Sequence, residues 1–209
     1  MIDAYLENKL LKLEKQEELV INKGKRLYKT STIYPLDKLL IAVLDRSLNL
    51  ISGFILLIKN ENFTAASHLI RCHLDNCLRL SGAWLVDNPQ HFAEQVIKGI
   101  KISKIKDRYG KKLYDNYLAQ QMNKNYPGIS DVYDECCGFI HLSNKHILMS
   151  SKLIDSNKLE FKINKRDSYI SDETKIKAIE LMEDITKMVL DFSEDYIETK
   201  IKVDKNSTK

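Results

Sequence analysis

The sequence predicts an all-α fold: a helical bundle of five to six long helices with a small β-hairpin inserted before the last one. Three observations carry this. Apolar residues recur at helical spacing along most of the 209 residues. Only 7 Gly and 3 Pro interrupt them, too few for an all-β or loop-rich fold. Late in the chain one short segment changes its period from helical to strict alternation. A single domain is expected over residues 1–200, with the hairpin at about 148–170 and residues 201–209 as a flexible C-terminal tail.

The first helix is expected over residues 1–22, where Leu6, Leu10, Leu13 and Leu19 recur with charges between them. A loop through Gly24 leads to Pro35, which opens the second helix through Leu36, Leu40, Leu44 and "LISGFILLI" until "KNEN" stops it. The third helix runs from about Phe63 to Val86, ahead of "DNP". Pro89 opens a fourth through "HFAEQVIKGIKISKI", with Gly110 as a break before "KKLYDNYLAQQM". After the "NYPG" turn, Ser130 and Asp131 cap a fifth helix, "SDVYDECCGFIHLSNKHI". "KLEFKI" alternates Leu159, Phe161 and Ile163 against charges, and Ser156–Asn157 supplies a turn after "KLID". "SDET" caps the last helix, which presents Ile176, Ile179, Met182, Ile185, Val189, Phe192 and Tyr196 on one face to about Lys200.

A hydrophobic content of 44% with 30% charged residues is that of a folded globular chain and excludes an intrinsically disordered one. The net charge of +4 permits an anionic partner without requiring one. The N-terminus is amphipathic from its first turn, without the apolar core of a signal peptide. The longest apolar run, "LISGFILLI", falls short of the ~20 residues that span a bilayer, so no membrane is expected as a partner. Cys72, Cys77, Cys136 and Cys137 lie in apolar helical segments and read as reduced thiols in a cytoplasmic protein. Glycine-rich phosphate loops and nucleophile elbows are absent from the sequence, which gives nucleotide-binding and serine-hydrolase chemistry no support.

The third helix carries the main anomaly. In "HLIRCHLDNCLRL", His68, Arg71, Asp75 and Arg79 fall on one narrow stripe of an otherwise apolar helix. Buried charge is costly unless paired, and Arg71 and Asp75 are spaced to pair with each other. The stripe reads either as an ion pair that fixes packing or as the wall of a polar pocket in the bundle core. On the fifth helix Tyr133, Cys137 and His141 share a face, with Lys145 a turn further on. His141 sits among Phe139, Ile140 and Leu142, where a histidine is either a hydrogen-bonded core residue or a catalytic one.

"HLIRCHLDNCLRLSGAWL" followed by "YDECCGFIHLS" resembles a bacterial helical family allied to the HEPN superfamily, over residues 36–146 and the final helix. The resemblance implies a dimeric helical bundle of toxin–antitoxin or phage-defence type, with RNA as substrate, a cognate inhibitor protein as partner and no cofactor. It implies a metal-independent endoribonuclease with Arg71, Asp75 and His141 as catalytic residues and His68, Arg79, Tyr133 and Lys145 as binding residues. RNases of that superfamily place an arginine a few residues before the histidine on one helix. Here "DECCGFI" precedes His141, so Arg71 would have to supply the cation from another helix. The competing expectation is a non-catalytic helical module that binds a partner protein or a small ligand through the same core.

Two further patterns stand beside this one. His73 with Cys77, and Cys137 with His141, are each spaced one helical turn apart and together would supply four zinc ligands. "KGIKISKIKDRYGKK" sets seven basic residues against Asp107 and reads as a solvated helix face, or as a phosphate-contacting one. The hairpin offers edge pairing for a homodimer, or a cover for one end of the bundle.

Overall fold

The computed structural model describes residues 4–29 and 32–207. Four long helices build the core: α1 (Ala4–Leu27), α2 (Pro35–Lys59), α3 (Phe63–Leu85) and α8 (Asp172–Ser207). Two short helices, α4 (Pro89–Ile97) and α5 (Asp115–Met122), and the longer α6 (Ile129–Ile140) pack around α3. The short α7 (Asn144–Met149) leads into an antiparallel hairpin, β1 (Ser151–Asp155) and β2 (Lys158–Phe161). The architecture is therefore all-α with a small β-hairpin before the last helix.

Local chemistry explains the helix starts. Pro35 occupies the first position of α2, where its missing N–H costs nothing, and the Tyr34 N–H donates to Asp37 Oδ2 at 2.7 Å. Asn62 Oδ1 accepts from the Ala65 N–H to cap α3, and Asn88 Oδ1 accepts from the Gln90 and His91 N–H groups to cap α4. Asp167, after the hairpin, returns the chain to the start of α3 by accepting from the Thr64 N–H at 2.7 Å. At the other end of α3, the Arg108 guanidinium donates to the carbonyls of Trp84, Leu85 and Val86.

The core runs along the facing sides of these helices: Leu10 and Leu13 of α1, Ile51 and Phe54 of α2, Leu74 and Leu78 of α3, and Ile179, Met182 and Ile185 of α8 are all buried. Among the described residues α2 alone is, by length and composition, long and apolar enough to cross a membrane, with a mean hydropathy of 1.8 over its most apolar window. In the bundle its Leu40, Leu44, Ile51, Phe54 and Ile58 are buried and the helix packs against α1, α3 and α4.

Several boundaries differ from those expected. The first helix continues to Leu27, whose side chain is buried. The fourth ends at Ile97, and the basic run beyond it is not a helix face. Ile102–Lys104 forms a 3-10 turn and Lys106 bridges to Lys112 around Gly110, which takes a positive φ of 82°. Asp107 organises this loop by accepting from the N–H groups of Tyr109 and Lys111 and from the Tyr117 hydroxyl. The expected fifth helix splits in two at His141. Ser143 ends it by donating its hydroxyl to the Gly138 carbonyl and capping α7.

Helix α8 runs to Ser207, where a tail from residue 201 was expected; residues 208–209 lie outside the described residues. Lys200 holds this last stretch in place. Its side chain is 1% exposed and its Nζ lies 2.6 Å from Asp37 Oδ2 and 3.4 Å from the Leu27 carbonyl, joining α8 to the end of α1 and the start of α2. Breaking a buried pair leaves one charge uncompensated. Lys200→Met should therefore lower the unfolding free energy by about 3 kcal/mol. Adding Asp37→Asn, which still accepts from Tyr34, should return part of that loss in urea titrations.

His73 is fully buried and its Nε2 lies 3.0 Å from the Thr186 hydroxyl of α8. Burial, and then the nearby Arg46, push its pKa down to about 3. The unfolded chain thus binds a proton that the folded chain refuses, and stability contributed by neutral His73 is lost as pH falls from about 6.5 towards 3. Between pH 6 and 4.5 this group should give a slope approaching 1.4 kcal/mol per pH unit, and His73→Asn should flatten it.

Candidate functional site

Successive turns of α3 carry Arg71, Asp75 and Arg79 on the side away from His73. Asp75 is the hub. Its Oδ1 accepts from Arg79 Nε at 2.9 Å and lies 3.5 Å from Arg71 Nη1, while its Oδ2 lies 3.8 Å from Arg46 Nη1 of α2. Asp115, the first residue of α5, adds a second carboxylate 3.6 Å from Arg71 Nη2 and 3.5 Å from Arg79 Nη2. Arg46 also donates to the side-chain oxygen of Asn76. The Arg71 and Asp75 side chains are only 14% and 15% exposed, whereas Arg46 and Arg79 stand half-exposed beside them.

Helix α6 forms the opposite wall. The Arg71 guanidinium stacks on the Tyr133 ring, 4.7 Å from its centroid. Burial works against the Arg71 cation, but the Cys137 sulfur and the Asp75 carboxylate outweigh it and leave its pKa above the ordinary value. Burial in turn raises the Tyr133 phenol, with Cys137 adding to the effect. Arg71 therefore has a fixed plane, two acidic neighbours and an aromatic floor.

These groups enclose a cavity of about 310 Å³. The structure brings Arg71, Asp75, Arg79, Tyr133 and His141 to it. His141 reaches the rim from the C-terminal cap of α6, where it is exposed rather than packed inward among its apolar neighbours. Two residues in the sequence-predicted set lie elsewhere. His68 is half-buried with Nδ1 2.7 Å from the Thr64 carbonyl. Lys145, on α7, pairs with Glu135 and lies over the Phe139 ring, and burial lowers its pKa. Arg46, Asp115 and Cys72 also line the cavity without having been singled out. Arg46 carried a usable signal, a charge within the apolar "LDRSLNL", as Arg71 did.

The four-ligand zinc arrangement does not assemble. His73 and Cys77 are buried in the core, while Cys137 and His141 line the cavity. Among the described residues no group of three or more His, Cys, Asp or Glu side chains is placed to hold a metal ion. The larger cavity, about 540 Å³ between the end of α3 and α8, has Trp84, Tyr196, Asp195 and Glu198 in its wall, and its Arg108 is engaged by helix carbonyls. Comparison with protein-family models, curated proteins and solved structures finds no match to this chain.

The four thiols divide by environment. Cys77 and Cys136 are buried, and burial raises the pKa of both, that of Cys136 to about 11. Cys72 and Cys137 are partly exposed and face the cavity. A negatively charged aromatic disulfide reagent should label Cys72 and Cys137 in the native protein and reach all four only after denaturation. Peptide mass mapping reads the pattern; early labelling of Cys77 would contradict the burial described here.

Proposed function

We propose that the protein is a metal-independent endoribonuclease of toxin or phage-defence type, with RNA bound at the cavity between α3, α5 and α6. The reading is supported by one observation above all: the exposed His141 lines the same cavity as Arg46, Arg71 and Arg79. Imidazole titrates near neutrality, so it suits proton transfer at a ribose. In this scheme His141 takes the proton of a 2′-hydroxyl as that oxygen attacks the adjacent phosphorus. The 5′-oxygen departs on the opposite side and takes its proton from water, which leaves a 2′,3′-cyclic phosphate and a free 5′-hydroxyl, and the imidazolium then gives its proton to solvent. Arg71 meets the charge that develops on the phosphorane oxygens. Its pairing with Asp75 and Asp115 and its stacking on Tyr133 fix the guanidinium before substrate arrives. A toxin-type enzyme of this kind would be held in check by a cognate inhibitor protein.

A second reading has its own support. Asp75 and Asp115 already compensate much of the cavity's positive charge, as a non-catalytic module built to hold a partner protein or a small ligand would require. An RNA cleavage assay in the presence of EDTA separates the two. Wild type should give fragments ending in cyclic phosphate. His141→Ala and Arg71→Ala should each slow cleavage by about 100-fold or more. RNA left intact by wild type, or cleaved equally by the variants, would overturn the nuclease reading.

A further inference from the structure

The β1–β2 hairpin packs little of its surface. Leu153, Leu159 and Phe161 are each more than half exposed, and Ile163 is fully so. The register pairs Ser151 with Phe161, Lys152 with Glu160 and Leu153 with Leu159. Leu153, Leu159 and Phe161 therefore share one face, Ile163 continues it, and Lys152, Glu160 and Lys162 share the other. On that polar face Glu160 accepts from the Tyr169 hydroxyl and Lys162 lies over the Tyr169 ring. A lone two-stranded hairpin is marginal in water and gains stability from added strands.

The backbone indicates what extends it. The Lys162 N–H bonds to the Ser150 carbonyl, so Glu160 and Lys162 direct their backbone groups towards β1. Leu159, Phe161 and Ile163 direct theirs outward, and among the described residues no backbone hydrogen bond reaches that edge. We propose that the outer edge of β2 pairs antiparallel with β2 of a second copy of this chain, with Phe161 on the twofold axis. In that register Phe161 faces Phe161 of the second copy and Leu159 faces Ile163 of the second copy, each as a hydrogen-bonded pair. Glu160 then faces Lys162 of the second copy in the closer, non-hydrogen-bonded site, and the symmetry makes two such ion pairs. Placing Glu160 on the axis instead would set Lys158 against Lys162, like charge against like. Placing Leu159 on the axis would keep Lys158 opposite Glu160 but set Phe161 against Asn157 of the turn, so charge and apolar pairing together favour Phe161 on the axis.

The pairing sets Leu159 beside Ile163 and Phe161 beside Phe161 of the second copy as cross-strand apolar neighbours. The result is a four-stranded sheet with a continuous apolar face.

Analytical ultracentrifugation of the full chain tests this through a charge-swap cycle. Wild type should dimerise at micromolar concentration. Glu160→Lys and Lys162→Glu should each raise the dimer Kd by about tenfold or more, and the combined variant should return it to within about threefold of wild type. Phe161→Pro removes an outward donor while sparing the bonds to β1, and should give a monomer. Unchanged circular dichroism shows that each variant is folded. A wild-type monomer throughout the concentration range, or a dimer indifferent to both single swaps, would overturn the proposal.

Discussion

Helix α3 is enclosed. It packs against α2, α4, α5, α6 and α8, so each polar group it carries must find its partner inside the protein or in a cavity it shares. On the side facing α8, His73 stays neutral and bonds through Nε2 to Thr186. On the other side three ionised residues on successive turns cannot stay neutral, and Asp75 links the two arginines that flank it. That arrangement decides what surrounds it. Asp115 sits at the start of α5 where it meets both arginines, and Tyr133 of α6 lies beneath one of them. The cavity is the space that this charged seam keeps from closing into apolar packing.

The helix ends obey the same rule by different means. At one end Lys200 and Asp37 are both withdrawn from water, and the backbone groups of Tyr34 and Leu27 supply further contacts. Close by, Arg108 satisfies three carbonyls at the end of α3 from a loop that Asp107 holds in shape. In each place a charged side chain closes backbone bonds that a helix end leaves open. The charges in this fold act as fasteners between elements far apart in sequence, and the apolar pattern determines which faces meet.

Much of this was legible in the residues. Pro35 and Pro89 marked helix starts that the structure reproduces, and the turn at Ser156–Asn157 joins the two strands as the alternation implied. The stripe of Arg71, Asp75 and Arg79 followed from helical geometry alone. What escaped was long-range or polar. Asp115 lies 40 residues from Asp75 in a segment with no periodic signal, so its place opposite Arg71 depends on how α5 docks. The break at His141 comes from the Ser143 hydroxyl competing for a helix carbonyl, an event hidden beneath apolar spacing that runs on. The zinc arrangement failed on angular phase. His73 and Cys77 follow Arg71 and Asp75 by two residues, roughly 200° around the helix axis, and so point away from the wall that carries His141.

The charge balance of the cavity bears on what it can accept. Three guanidiniums face two carboxylates, an excess of one positive charge before His141 is considered. That excess is unevenly distributed. Arg71 and Arg79 each contact both Asp75 and Asp115, whereas Arg46 has one carboxylate at 3.8 Å and otherwise the neutral oxygen of Asn76. Arg46 is also about half exposed, so it can turn towards an incoming anion with little loss. Arg71 is enclosed, stacked and doubly paired, and moving it would give up the Tyr133 face and two carboxylate contacts at once. The two cations therefore suit different tasks: Arg46 can capture an anion at the mouth, and Arg71 presents a fixed positive plane within. Their separation between a mobile and an immobile site is what a cavity needs if it is to admit a phosphodiester and hold it in one orientation.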